Sequence, residues 1–506
     1  MPSAPNPIDH LTLAGRRDTA ALILPRGEVI DFAGLEARTG RLAGWLAGQQ
    51  LPPGSRIASW LPKSALSAIL PLAVARAGHI YVPVNPLLKR AQVAHILADS
   101  GAAMLITQQS RAALLEEGDL TEGTRLTDAD TLDAVIADAA QLCLAPSQAD
   151  PSALCEILYT SGSTGRPKGV MLSHANLALG AEAVADYLAL TPADRTLCVL
   201  PFSFDYGQNQ LFAAWQAGGC AVPFDYLLPR DVAKAVAKHK ITTLAGVPPL
   251  WVQLLEVEWP PEAVASLRRL TNSGGALTRV LVRGLRARFP AADLYAMYGL
   301  TEAFRSTYLP PAMIDTHPDS VGRAIPHAEV LVVRPDGGLA AAGEAGELVH
   351  CGPLVAQGYW CDPERTAERY RPAPAASQYG GIAVWSGDTA RRDEDGLLYF
   401  VGRDDAMIKS AGNRISPTEI EEAAVAVPGI AEAVALGVPD PRLGQAIRLF
   451  VRTTADGDAA IERLREALRR DLPNFMQPRE IIALADLPRG PNGKIDRVAL
   501  VQEHAV

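Results

Sequence analysis

The sequence lacks the features that mark several whole classes of protein. Its 506 residues include six cysteines, at positions 143, 155, 198, 220, 351 and 361, and no two of them have CxxC spacing. Zinc-ribbon and dithiol redox motifs are therefore excluded, and scattered thiols at this density suit a reducing compartment. Basic charge is not in excess. Lys and Arg number 47 against 56 Asp and Glu, a net charge of −9, so the chain has no overall footprint for nucleic acid. A local basic site for a small acidic substrate stays open. Long apolar runs are missing too. The stretch 68–77 is interrupted by Pro71 and Arg76 and falls well short of the ~20 residues that span a bilayer. The opening segment, MPSAPNPIDHLTLAGRRDTAALIL, has no basic region followed by an apolar one, as a secretory signal requires. A cytoplasmic location, with no membrane span, is expected. What the chain does have is an ordinary globular composition, 48% hydrophobic and 20% charged, which excludes a disordered chain. One core cannot serve this length, because single cores stop growing near ~250–300 residues.

Short apolar runs alternate with helical periodicity through the first half. Strands are expected at 57–60, 80–84, 103–107, 196–200, 221–224 and 242–245, and helices at 65–77, 90–99, 211–217 and 230–238. This alternation argues for parallel α/β layers. From 330 to 351 the pattern changes to short strands with glycine turns. The stretch 371–381, rich in Pro, Ala, Ser and Gly, reads as a loop. No internal repeat is apparent. A charged segment, Gly402-Arg-Asp-Asp405, then precedes a small α+β unit with helices at 417–425 and 459–470 and strands at 431–438 and 447–453. The expected domains are 1–404 and 405–506.

The most specific segment is Tyr159-Thr-Ser-Gly-Ser-Thr-Gly-Arg-Pro-Lys168-Gly169. It follows a strand-like run and combines four hydroxyls, three glycines and a lysine. Glycines let backbone N–H groups close around an anion, hydroxyls add donors, and the lysine adds a point charge. The P-loop of nucleotide triphosphatases needs Gly-Lys-Ser/Thr at its end, and this segment ends in Pro-Lys-Gly.

The segment resembles the phosphate-binding loop of the adenylate-forming superfamily: acyl-CoA synthetases, luciferases and nonribosomal-peptide adenylation domains. Five more motifs follow in that family's order: Tyr298-Gly-Leu-Thr-Glu302, Ser386-Gly-Asp388-Thr, Gly402-Arg403-Asp-Asp405, Lys409-Ser-Ala-Gly412 through Glu419, and Asn492-Gly493-Lys494-Ile495. The resemblance implies a large N-terminal domain of two α/β subdomains and a small β-barrel, then a mobile α+β lid. It implies a ligase that joins a carboxylate to the α-phosphate of ATP, releases pyrophosphate, and passes the acyl group to a thiol. Approaching anions and charge growing on phosphorus call for positioned donors, cations and Mg²⁺. By resemblance, Thr160, Ser161, Gly162, Ser163, Thr164, Gly165 and Lys168 hold the β,γ-phosphates. Thr301 contacts the α-phosphate, and Glu302 holds Mg²⁺. Gly275, Tyr298 and Gly299 line the nucleotide site, with Tyr298 on adenine, while Asp388 and Arg403 hold the ribose. Lys494 bridges the carboxylate and the α-phosphate. Asp405 is the hinge about which the lid turns, and Gly412 then helps form a tunnel for the thiol's pantetheine arm.

Pro201-Phe-Ser-Phe204-Asp205-Tyr-Gly resembles the Phe-Asp motif of amino-acid adenylation domains, where the aspartate pairs with the substrate's ammonium. A buried carboxylate needs such a cationic partner. The other pocket positions are Tyr206, Asn209, Gly246, Thr271, Ser273, Gly274, Met297, Arg305 and Ser306. Several are polar, which disfavours a long fatty tail. Arg305 is unusual beside an amine. Pairing with Asp205, pairing with Glu302, and binding a carboxylate of substrate or nucleotide are all open to it. The chain looks most like stand-alone prolyl-type carrier-protein ligases and exosortase-associated AMP-forming ligases, although Val84-Asn85-Pro86 looks more like acyl-CoA synthetases. The expected reaction activates a small amino acid, proline-like, and loads it onto the phosphopantetheine of a separate carrier protein, since no carrier segment follows Lys494. The alternative is a CoA ligase for a short or functionalised carboxylic acid. Capture of the adenylate by an amine is also open. A catalytically dead scaffold is disfavoured, because every ATP-site residue and Lys494 are present.

Overall fold

The computed structural model describes residues 5–160, 167–403, 407–410, 413–440, 443–454 and 457–504, with the backbone alone at 403, 409, 413, 414 and 444. Among them the strands form three sheets. In the first, Arg125–Asp128, Met104–Thr107, Arg56–Trp60, Ile80–Val84 and Leu154–Thr160 run parallel in that order, and Lys168–Ser173 closes the edge as the antiparallel partner of Leu154–Thr160. The central strands Met104–Thr107, Arg56–Trp60 and Ile80–Val84 are buried almost throughout, as parallel strands between helical layers are. The helix Ala65–Arg76 behind them is buried at every residue.

The second sheet has 14 strands. Its parallel part contains Cys220–Pro223, Arg195–Cys198, Thr243–Gly246, Arg269–Asn272 and Asp293–Tyr298. It continues antiparallel through Thr307–Tyr308 and Ser320–Ala324 into the β-rich section. The third sheet is small and belongs to the C-terminal unit, where Pro417–Val425 and Gly457–Asp471 pack Ile420, Ala424, Leu464 and Leu468 over Leu449 and Val451. Each unit thus has its own core, as the chain length requires.

Two expectations are corrected. The helix expected at 211–217 starts six residues earlier, at Asp205, and every residue from 205 to 215 is buried. Its polar first turns, Asp-Tyr-Gly-Gln-Asn-Gln, carry no apolar stripe: Tyr206, Asn209 and Gln210 line a cavity and Gln208 reaches the first sheet. The loop expected at 371–381 begins as strand, with Tyr370–Pro372 pairing Ile382–Arg392.

One buried acid ties the first sheet to that helix. Glu156 is 1% exposed, and it accepts a 2.7 Å hydrogen bond from Gln208 Nε2. Burial pushes its carboxyl up to about 8 from an ordinary 4.5, against the opposing pull of that bond. The folded chain therefore holds a proton that the unfolded chain releases. This contribution is fully present below pH 4.5 and declines, by ~1.4 kcal/mol per pH unit, until the pH passes the folded value near 8. Glu156→Gln is expected to raise the unfolding temperature more at pH 8.5 than at pH 5. An equal shift at both pH values in thermal unfolding would show that Glu156 is not held protonated.

Candidate active site

The antiparallel pair Leu154–Thr160 and Lys168–Ser173 sets Thr160 opposite Lys168. From there Lys168 reaches a carboxylate. Its Nζ donates to Glu302 Oε1 at 3.0 Å and to Tyr359 Oη at 2.6 Å, and Tyr359 Oη donates to the same Glu302 oxygen at 2.7 Å. Burial alone would raise the Glu302 carboxyl, but the Lys168 ammonium and the Tyr359 hydroxyl outweigh it and hold the group below its usual range. The carboxylate stays ionised and its Oε2 has no side-chain partner among the described residues. A hard oxygen in this position fits Mg²⁺, which takes one or two carboxylates and completes its shell with substrate phosphates and water. No cluster of three metal-ligating side chains occurs among the described residues.

Glu302 lies in a strained turn. The strand Asp293–Tyr298 leads to a single 3₁₀ turn, Thr301–Ala303, and then Phe304 (φ 45°) and Arg305 (φ 119°) adopt positive φ. Such conformations cost of order 1–3 kcal/mol each in non-glycine residues and persist where the surroundings over-determine them. Here Phe304 is fully buried against Gly180, where any Cβ would meet its ring, and Gly299 leaves room for the Arg305 backbone to fold back. The turn sends Glu302 to Lys168 and Arg305 to the opposite side. Tyr298, just before the turn, donates a hydrogen bond to Asp388 and stacks at 5.9 Å on the buried ring of His350. The Asp388 backbone pairs in register with Arg403.

The residues expected to hold the acid gather at the carboxyl ends of the parallel strands, the usual place for ligands in open α/β sheets. Gly246 ends one strand, and Ser273, Gly274 and Gly275 follow Arg269–Asn272. Lys494 enters here on a hairpin whose Gly490 N–H donates to the Lys494 carbonyl at 2.7 Å and whose Gly493 has φ +76°. Its Nζ lies 4.8 Å from the ring centre of Phe204. Gly274 has φ +81°, and a Cβ there would come within 2.5 Å of the lysine Cε. Asn85 steadies the approach, donating from Nδ2 to Asn492 Oδ1 at 3.0 Å and to the Pro491 carbonyl at 3.2 Å.

Asp205 is the first residue of its helix, 6% exposed, with no hydrogen bond or ion pair among the described residues. One turn on, Asn209 is buried with both amide atoms unpartnered. Tyr206, Asn209, Gln210, Thr271, Met297 and Arg305 line a cavity of about 30 Å³. The Tyr206 hydroxyl donates to the Thr271 carbonyl at 2.7 Å, and the Arg305 guanidinium lies 4.5 Å above the Tyr206 ring. Arg305 pairs with neither Asp205 nor Glu302. Ser306 is fully buried behind it.

A sequence model described as AMP-binding enzyme matches residues 11–360, and the C-terminal domain of the same enzymes matches 419–494. The chain belongs to the AMP-binding enzyme family. It is an AMP-forming, ATP-dependent ligase with a large N-terminal and a small C-terminal domain. It is 34% identical to a sulfoacetate–CoA ligase of Cupriavidus necator, over 94% of this chain and 92% of that one. It is 30% identical to an L-proline–[L-prolyl-carrier protein] ligase of Pseudomonas fluorescens, over 96% of each. ATP-bound MatB from Rhodopseudomonas palustris, 28% identical, superposes with a TM-score of 0.87 over 99% of both chains. The chain spans only 6–13% of the length of several large synthases that it also matches. No helix among the described residues is long and apolar enough to cross a membrane.

In this AMP-forming ligase, Lys168 meets Glu302 beside Thr160, with Thr301 in the same turn as Glu302. Tyr206, Asn209, Met297 and Arg305 share one cavity, and Lys494 meets Gly274 and Phe204 at the ends of the strands that Gly246 and Ser273 close or follow. Asp205 starts the helix that carries Tyr206 and Asn209. Ser161, Gly162, Ser163, Thr164, Gly165, Asp405, Gly412 and the Arg403 side chain lie outside the described residues. The sequence reading missed Tyr359, His350 and the latch role of Asn85. His350 comes from the strand Ala345–Cys351 and Tyr359 from the connection that follows it, and neither carries a motif. Burial holds His350 neutral, its ring pushed down to about 3.

Proposed function

We propose that this ligase adenylates a small amino acid and transfers it to the phosphopantetheine thiol of a separate carrier protein. The observation that carries this reading is Asp205: a buried, unpaired carboxylate next to Phe204, the residue whose ring Lys494 covers. A carboxylate out of water needs a cation, and a substrate ammonium supplies one while the substrate carboxylate meets Lys494. The prolyl-carrier relative, matched from end to end, supports the carrier as acceptor, and a proline-like acid is the reference substrate. In this reading Thr160, Ser161, Ser163, Thr164 and Lys168 hold the β,γ-phosphates, Thr301 faces the α-phosphate, and Glu302 holds Mg²⁺. Tyr298 carries adenine, and Asp388 with Arg403 carries the ribose. Asp405 is the hinge of the second, thiol-accepting pose, and Gly412 borders its pantetheine path. Asp205→Ala is expected to lower kcat/KM for the amino acid at least about tenfold, as loss of one partner of a buried charge pair does. The check is ATP–pyrophosphate exchange across amino acids and amine-free acids. A near-normal value in the variant removes the amine-pairing idea.

A second reading rests on Arg305. A cation in the acid cavity favours a functionalised carboxylic acid, and CoA as acceptor, as named for the sulfoacetate–CoA ligase relative. Exchange with amine-free acids alone would select it.

A further inference from the structure

The Arg305 end of the acid cavity has an unusual chemical make-up. The guanidinium is 5% exposed and has no carboxylate within ion-pair distance among the described residues. It is held by the face of Tyr206, whose hydroxyl is committed to Thr271. Beside it, Asn209 and Gln210 each bury an amide with both polar atoms unpartnered, and Thr243 buries an unpartnered hydroxyl. All four residues line one cavity. Buried polar atoms are nearly always satisfied, and a buried charge without a partner is costly. Here one cation and several spare donors converge on a single space. A long apolar tail would leave every one of them unpaired.

We infer that this end of the cavity is a subsite for a second anionic group on the acid substrate. The inference deepens the proposed function and rests on its premise that a small acid is adenylated at this site. The cavity's ~30 Å³ admits a compact head such as a carboxylate, since one water needs about 10–15 Å³ on the same measure. Asp205 begins the helix whose next turn carries Asn209 into this cavity, so the subsite stands alongside the ammonium partner of the amino-acid reading. The planar guanidinium also matches a carboxylate in two-point geometry, which a lysine does not.

The test compares isosteric probes in ATP–pyrophosphate exchange: aspartate against asparagine, and malonate against malonamate. The unmodified enzyme is expected to favour the anionic member of at least one pair by tenfold or more in kcat/KM. Preference within the first pair supports an acidic amino acid, and preference within the second supports a diacid without an amine. In Arg305→Met that preference is expected to collapse to within about threefold, and in Arg305→Lys to be partly retained. Thermal unfolding of both variants identifies any loss of fold. Equal or better use of the neutral members by the unmodified enzyme overturns the subsite, whatever the variants do. So does a preference that survives in Arg305→Met. Efficient exchange with proline alone overturns the subsite but leaves the amino-acid reading standing. Exchange with no small acid overturns that reading, and the subsite with it.

Discussion

Lys494→Ala is expected to lower acid-dependent ATP–pyrophosphate exchange by roughly 10²–10³-fold, the usual cost of removing one preorganised group that meets transition-state charge. The lysine comes to the acid site from the C-terminal unit, and several contacts serve its arrival. Gly274 leaves space for its Cε, Asn85 grips the turn that bears it, and Phe204 offers a ring face to its ammonium. In the proposed function these features set one cation beside the end of the acid where the new bond to phosphorus forms. The second half-reaction does not call on that cation in the proposed cycle. A supplied acyl-adenylate should therefore still be converted to thioester by the variant. Unchanged exchange would remove Lys494 from adenylation, and equal loss of both half-reactions would point to a structural effect.

Glu302→Gln is expected to cost on the order of 10²-fold in the same exchange. It is also expected to move the Mg²⁺ dependence of the residual rate to higher concentration. The substitution preserves shape, and the amide oxygen can still accept from Tyr359. It removes the charge that pairs with Lys168 and the hard anionic oxygen suited to the metal. A Mg²⁺ titration separates the two contributions. A lower rate with an unchanged Mg²⁺ midpoint would show that Glu302 serves Lys168 alone.

The sequence revealed the reaction class more clearly than the site's surroundings. The segment around Thr160 and Lys168, the turn at Thr301 and Glu302, and the Asn-Gly-Lys hairpin are short and local, with chemistry concentrated in consecutive residues, so they are legible without a fold. Tyr359 and His350 were not, because one lies in a connection and the other in a strand with no motif around either, and only the packing of distant elements brings them to Glu302 and Tyr298. The helix at Asp205 was partly misread for a related reason. Periodicity detects a helix with one apolar face, and this one buries polar residues in its first turns. Arg305 could be named from its position after the Thr-Glu motif, but its lack of a partner could not. That depends on a backbone with two successive positive φ values, which no propensity foretells.

That same turn has an evolutionary consequence. Glu302 and Arg305 are three residues apart on one strained turn, and in the proposed function one serves the nucleotide and the other the acid. Choice of acid and speed of activation are thus mechanically yoked. Retooling the enzyme through residue 305 disturbs the segment that sets its rate. Changes at Asn209 or Thr271, on separate elements of the same cavity, alter what is accepted and leave the turn alone. New acid preferences in this lineage should therefore arise first on the helix and the strand, with the turn changing last.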